Sequence, residues 1–128
     1  MYRILITEDI GPAGLALIDE AEDAEYDMIH LPPRDKLIEI IGNYDAVITR
    51  SGTALDAEIF AAATRLKIAG RGGVGLDNID MEAATVRGVQ VMNTPAANTL
   101  GATELTMTLM LGLCRGLPKA NASVKNGE

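Results

Sequence analysis

Aromatic residues are scarce in this sequence of 128 residues, which has no tryptophan, one phenylalanine and three tyrosines. Because 48% of the residues are hydrophobic, the core must be built mainly from Ile, Leu, Val, Ala and Met. A hydrophobic content this high argues against intrinsic disorder. A flavin site is not favoured, because the four aromatic side chains lie at strand starts or within a helix, where they offer no stacking platform: Tyr2, Tyr26, Tyr44 and Phe60.

Cysteine, cations and long apolar runs are also scarce. The single cysteine, Cys114, cannot form an internal disulfide, which predicts a cytoplasmic protein. The 11 basic and 18 acidic residues give a net charge of -7 with no basic cluster, so we expect no binding to nucleic acid or to a membrane surface. The longest near-apolar stretch, residues 105–114, is well short of the ~20 residues of a membrane-spanning helix.

Five short strand-like runs alternate with helical stretches along the chain. The runs start 19 to 24 residues apart and read "YRILI" from Tyr2, "YDMIH" from Tyr26, "DAVIT" from Asp45, "LKIAG" from Leu66 and "VQVMN" from Val89. Apolar residues three or four apart predict helices over 11–21, 34–41, 56–64 and 80–87. This alternation predicts βαβ units and a parallel sheet whose strands are apolar on both faces.

Right-handed crossovers favour an α/β fold with a flavodoxin-like, doubly wound sheet of five parallel strands in the order 2-1-3-4-5. Asp56 is predicted to cap its helix, and Gly42 and Gly88 to stand where helices end. From about residue 100 the sequence predicts a long apolar C-terminal helix, in which Gly116 and Pro118 favour a bend or break.

The stretch "GRGGVG" contains Gly70, Gly72 and Gly75 at the G-x-G-x-x-G spacing of a dinucleotide-binding loop. The loop follows the fourth strand, however, and the helix after it is short. The next strand ends at Asn93 without an acidic residue to bind a ribose hydroxyl. Two interpretations remain at this point, a tight turn that needs positive φ and a site for a small anion.

Two arginines favour the anion site. Arg50 and Arg71 occupy equivalent positions after the third and fourth strands, which are neighbours in the predicted sheet. Guanidinium groups bind carboxylate or phosphate, and glycine-rich backbone presents N–H groups without obstruction by side chains. The alternative for either arginine is a surface ion pair.

Three longer stretches identify a resemblance: "RGGVGLDNIDMEAAT", "GVQVMNTPAANT" and "ATELTMTLMLGLCRGLPKANASVKNGE". Together they resemble the D-isomer-specific 2-hydroxyacid dehydrogenases, over nearly the whole chain. The resemblance implies a flavodoxin-like substrate-binding domain over residues 1–97 and a linker helix over residues 98–128. That helix would lead toward an NAD-binding domain outside this sequence.

The resemblance also assigns site residues. The backbone of Val74 and Gly75 would hold the carboxylate of a small anionic 2-hydroxy acid. Arg50 and Arg71 resemble the residues that contact the phosphate of 3-phosphoglycerate. The remaining matches to the substrate and cofactor sites are Ser51, Gly73 and Asn98 for substrate and Thr103 for NAD.

The family's catalytic Arg, Glu and His match no position in residues 1–128, so the resemblance implies that this chain alone is inactive. The parent enzyme would use NAD to oxidise 3-phosphoglycerate to 3-phosphohydroxypyruvate, as in serine biosynthesis. His30, the single histidine, is predicted to be a polar residue at the end of the second strand rather than a catalytic base.

A receiver-like signalling domain is the alternative, because "ILITEDI" resembles the start of one and Glu8 with Asp9 could bind Mg²⁺. The third strand nevertheless ends in Thr49-Arg50, without the phosphoacceptor Asp of a receiver. We therefore predict no metal site and take both acids to be solvated residues before the first helix. A homodimer is expected through one apolar helix face, formed by Leu105, Leu109, Leu113 and Leu117.

Overall fold

A computed structural model describes residues 1–127 of the chain. Strands and helices alternate through the first 93 residues, and two helices follow: β1 Tyr2–Ile6, α1 Gly11–Asp19, β2 Ala24–Met28, α2 Arg34–Ile41, β3 Ala46–Thr49, α3 Ala57–Ala62, β4 Ile68–Arg71, α4 Met81–Val86, β5 Gln90–Asn93, α5 Thr99–Cys114 and α6 Leu117–Lys125. The chain divides into two units, Met1–Pro95 and the residues from Ala96 onward.

The first unit contains a five-stranded sheet in the order β2-β1-β3-β4-β5, and its paired strands are parallel. This confirms the predicted α/β class and strand order. The chain leaves β1 toward one edge of the sheet and returns at β3 on the other side of β1. The carboxyl ends of β1 and β3 therefore flank the topological switch point, where ligands of such sheets bind.

The core is aliphatic apart from Phe60 and Tyr44, as the composition predicts. Leu5, Val47 and Ala69, on the three central strands, have no exposed surface, and neither does Phe60 of α3. The expectation that the strands are apolar on both faces is wrong for the two edges of the sheet. Residues 24–28 and 90–93 include no fully buried side chain, because each edge strand has a neighbour on one side only.

Two aspartates cap short helices. The Asp56 carboxylate accepts hydrogen bonds from the backbone N–H groups of Glu58 and Ile59, both at 3.0 Å, and so confirms the predicted cap of α3. Asp80 caps α4 in the same way, through the N–H of Ala83 at 2.9 Å. Gly88 follows α4 with φ of 69°, a conformation that suits glycine.

The second strand begins and ends two residues earlier than the sequence predicts. Its pairing with β1 runs from Tyr2↔Ala24 to Ile6↔Met28, so that register rather than the apolar pattern sets its ends. After Met28 the chain bends, and Leu31 adopts a positive φ of 44°. His30 consequently lies in this bend and does not end the strand, which corrects the expected position.

The predicted C-terminal helix is two helices. Gly116, with φ of 59°, separates α5 from α6, and Pro118 lies in the first turn of α6, which confirms the predicted break. Large apolar side chains on α5 are more than half exposed, among them Leu105, Leu109 and Met110. The part of the chain that the structure describes contains no helix long and apolar enough to cross a membrane.

Candidate functional site

Two loops follow adjacent strands at the carboxyl edge of the sheet and carry most of the predicted site residues. We call residues 50–53 the β3 loop and residues 72–77 the glycine loop. At their bases, the N–H of Gly72 donates to the carbonyl oxygen of Thr49, the last residue of β3, at 2.8 Å. Because β3 and β4 pair in parallel, both loops emerge at the same edge.

The glycine loop has its carbonyl groups engaged and its central N–H groups available. The carbonyl of Gly73 accepts from the N–H of Thr94 at 3.0 Å, and that of Val74 accepts from the Asn93 side chain at 2.8 Å. The carbonyl of Gly75 accepts from Arg71. Within residues 1–127, the N–H groups of Val74 and Gly75 have no hydrogen-bond acceptor. Free donors beside satisfied carbonyls are the arrangement that an anion requires.

The backbone of the glycine loop is approached closely at Gly75. Neither Gly70 of β4 nor Gly72, Gly73 and Gly75 of the loop has a positive φ, so the alternative interpretation as a turn that needs one is wrong. A Cβ at Gly75 would lie 2.7 Å from Oδ1 of Asp77 and 3.1 Å from Nη1 of Arg71. A side chain at this position would therefore require the exposed Asp77 carboxylate to move and would crowd the Arg71 guanidinium.

Arg71 lies beneath the glycine loop, with 9% of its surface exposed. Its Nη1 donates to the Gly75 carbonyl, and its Nη2 lies 3.5 Å from Oδ1 of the exposed Asp77. Its buried Nε has no partner in the part of the chain that the structure describes. The guanidinium thus brings a positive charge to the free N–H groups and fixes the loop that carries them.

Arg50 has different surroundings. It is exposed, its Nη1 makes one contact of 3.5 Å with the backbone oxygen of Asp9, and its side-chain stem passes along Gly72. The predicted equivalence of the two arginines is wrong by one residue, because Arg71 is the last residue of β4 and pairs with Thr49. Arg50 therefore presents its charge toward solvent, whereas Arg71 directs its charge into the loop.

Glu8 reaches the β3 loop from the end of β1. Its Oε1 accepts from the N–H groups of Arg50, Gly52 and Thr53 at 2.9 to 3.1 Å, and from the Thr49 hydroxyl at 3.1 Å. Its Oε2 also accepts from the N–H of Gly52, at 3.0 Å. The expectation that Glu8 is a solvated residue is therefore wrong.

Burial raises the pKa of the Glu8 carboxyl, but the hydrogen bonds from Arg50, Gly52, Thr49 and Thr53 outweigh it and hold the pKa below its usual value. The charged form is thus favoured in the folded chain. The resulting stabilisation is complete above the ordinary pKa of a glutamate and is lost as the pH falls through the lowered pKa.

Asn78 connects the two loops. Its Nδ2 donates to the carbonyls of Arg50 and Thr53, at 2.7 and 2.6 Å, and its backbone carbonyl accepts from the N–H of Leu55 at 2.8 Å. Sequence reasoning assigned no role to Asn78, although it lies in the "GLDNID" stretch that carries the resemblance. Its position between the glycine loop and the helix cap Asp80 was the sequence signal that could have indicated this role.

The other predicted residues lie on the rim of the β3 loop and in the second unit. Ser51 is exposed on the β3 loop. Asn98 precedes α5 without a side-chain capping bond, and the Thr103 hydroxyl donates to the Thr99 carbonyl at 2.8 Å. These roles stay predictions. No group of three or more potential metal ligands occurs among residues 1–127.

Comparison with known proteins identifies the family of the chain. The model of the D-isomer specific 2-hydroxyacid dehydrogenase catalytic domain matches residues 4–124, and the chain belongs to this family. This family match decides against the alternative interpretation as a receiver-like signalling domain.

Relatives and a solved structure agree with this assignment. The chain is 39% identical to D-3-phosphoglycerate dehydrogenase of Methanocaldococcus jannaschii, covering 100% of this chain and 24% of that protein. It is 45% identical to chloroplastic D-3-phosphoglycerate dehydrogenase 2 of Arabidopsis thaliana, covering 98% and 20%. An NAD⁺-bound 3-phosphoglycerate dehydrogenase of Entamoeba histolytica superimposes with a TM-score of 0.75 at 33% identity, covering 87% of this chain and 38% of that one. The chain thus spans between a fifth and a quarter of the length of these curated relatives.

Proposed function

We propose that this chain is the substrate-binding part of an NAD-dependent dehydrogenase that oxidises 3-phosphoglycerate to 3-phosphohydroxypyruvate. The observation that carries the proposal is the pair of free N–H groups at Val74 and Gly75 beside the buried guanidinium of Arg71. Two N–H donors and an adjacent positive charge suit the carboxylate of a 2-hydroxy acid. The names of the relatives supply the choice of acid.

The two ends of the substrate have different partners in this proposal. The carboxylate binds the N–H groups of Val74 and Gly75, and Gly73 leaves room for the Arg71 guanidinium, whose Nη1 would lie 3.3 Å from a Cβ at that position. The phosphate binds Arg50, whose exposed guanidinium is not held by a carboxylate, with the hydroxyl of Ser51 on the same loop. Asn98 is assigned to the substrate from the resemblance alone.

NAD does not fit the glycine loop. A pyrophosphate in a dinucleotide fold sits at the N-terminus of the helix that follows the glycines. Here α4 begins at Met81, six residues after Gly75, and its first turn is capped by the Asp80 carboxylate. We therefore assign NAD to the whole protein, where it accepts a hydride from C2 of the substrate, and propose Thr103 as a contact of NAD within this chain.

An NMR titration of the isotope-labelled chain tests this proposal. Adding 3-phosphoglycerate at millimolar concentration is expected to shift the amide signals of Val74, Gly75 and Arg50, because the ligand binds their N–H or guanidinium groups. NAD is expected to leave these signals unchanged. Shifts caused by NAD at Val74 and Gly75, or none with 3-phosphoglycerate, would contradict the proposed function.

We also expect the chain to form a homodimer through α5. Leu105, Leu109 and Leu113 are 59%, 59% and 75% exposed, and an apolar surface of this kind is normally covered by another surface. Light scattering should then give a mass of twice 13.5 kDa. A Leu109→Glu variant should give the monomer mass, because it introduces charge on that face. A monodisperse wild-type monomer would rule out the dimer.

A further inference from the structure

We infer that Glu8 is a positioning residue of the proposed substrate site, whose carboxylate serves as an internal anion that holds the β3 loop and with it Arg50. The inference deepens the proposed function and rests on it for the role of Arg50. No sequence motif pointed to this role. It emerges from contacts between Glu8, two residues after β1, and a segment more than 40 residues away along the chain.

The contacts of Glu8 are those of an anion bound in a backbone nest. Three N–H groups from four consecutive residues of the β3 loop converge on Oε1, at 2.9, 3.1 and 3.1 Å. The Thr49 hydroxyl donates a fourth hydrogen bond to the same oxygen. Hydrogen bonds to an ionised acceptor are stronger than those between neutral groups, so this set fixes the path of the loop.

Gly52 fits this interpretation. A Cβ at Gly52 would lie 3.0 Å from Oε2 of Glu8 and 2.7 Å from Cδ2 of Leu31. The φ of Gly52 is not positive, so the backbone conformation alone does not require glycine. A larger residue here would displace the Leu31 side chain and crowd the Glu8 carboxylate, so a small residue at this position suits the contact between Glu8 and the backbone.

Glu8 also determines which hydrogen-bond donors of the β3 loop are available to the substrate. The N–H groups of Arg50, Gly52 and Thr53 all point at its carboxylate and are not available to an incoming phosphate. The guanidinium of Arg50 remains as the charged donor of this loop. Because the backbone N–H of Arg50 is itself held by Glu8, the anchor fixes the base of the side chain that we assign to the phosphate.

Variants of Glu8 test the inference in the full 128-residue chain. Glu8→Gln removes the charge at nearly constant volume, and Glu8→Ala leaves the nest empty. In both variants the amide protons of Gly52 and Thr53 are expected to shift upfield and to exchange faster with solvent. The affinity for 3-phosphoglycerate is expected to fall about 10-fold, as for the loss of a charged hydrogen bond, while that for D-glycerate stays unchanged. Added formate should restore the amide shifts of Glu8→Ala.

Asp9→Asn is the matched control, since it removes a neighbouring carboxylate whose contact is with the N–H of Gly11 rather than with the β3 loop. Unchanged amide shifts of Gly52 and Thr53 in Glu8→Gln would overturn the anchor. If the amide shifts of Gly52 and Thr53 change in Glu8→Gln but the affinity for 3-phosphoglycerate does not, the positioning role would be overturned. A wild-type chain without affinity for 3-phosphoglycerate would overturn the proposed function, and the amide signature would then identify Glu8 as a loop anchor alone.

Discussion

Replacing Arg71 by alanine is expected to weaken the binding of 3-phosphoglycerate and of D-glycerate by the same factor, about 10- to 100-fold. The physical reason is that the Arg71 guanidinium holds the Gly75 carbonyl and supplies the positive charge beside the free N–H groups of Val74 and Gly75. Both acids carry the carboxylate that these groups would bind. Calorimetric or NMR titration of the variant with each acid measures the two dissociation constants.

Arg50→Ala is the matched comparison for this prediction. The exposed Arg50 guanidinium is assigned to the phosphate. Its loss should therefore weaken the binding of 3-phosphoglycerate and leave the binding of D-glycerate unchanged. If Arg71→Ala lowers the affinity for 3-phosphoglycerate more than the affinity for D-glycerate, Arg71 contacts the phosphate directly. Equal losses for both acids in Arg50→Ala would remove the phosphate role of Arg50.

Replacing Phe60 by alanine is expected to lower the free energy of unfolding by about 3–5 kcal/mol. Phe60 has no exposed surface and packs in the core that Leu5, Val47 and Ala69 form on the sheet. In a core with so few aromatic residues, the cavity left by its ring cannot be filled by a similar neighbour. A domain of this size is typically stable by roughly 5–15 kcal/mol, so the variant would lose a large fraction of its stability.

Urea denaturation followed by circular dichroism measures this loss, and the midpoint should fall without a change in slope. Val86→Ala is the control, because that side chain is 80% exposed and its truncation should change the stability by no more than about 0.5 kcal/mol. A Phe60→Ala midpoint close to that of Val86→Ala would contradict the buried position of Phe60.

The sheet order was predictable because two strong rules act together. The regular spacing of apolar runs fixes the number of strands and helices, and right-handed crossovers leave few ways to arrange them. The ends of β2 were not predictable in the same way. They follow from pairing with Tyr2–Ile6 on β1, and the apolar run at Tyr26 does not carry that information.

The candidate site was predictable only in part. The glycines and arginines signalled a site for an anion, and the structure places Gly73 and Gly75 beside the Arg71 guanidinium. The direction of the Arg71 side chain depends on strand register, which single-residue motifs do not encode. The contacts of Glu8 and Asn78 join segments far apart in sequence, so local patterns gave no sign of them.

The hydrogen bonds between Glu8 and the β3 loop can form only after both segments of the chain have been synthesised. The N–H groups of Gly52 and Thr53 donate to the Glu8 carboxylate, 44 and 45 residues earlier in the chain. The Val74 carbonyl accepts from the side chain of Asn93, which lies on β5. No short peptide from this chain can reproduce the site, since contacts of such sequence separation form only with the sheet itself. If the proposed site binds the acid, ligand binding would therefore report on completion of the sheet as far as β5.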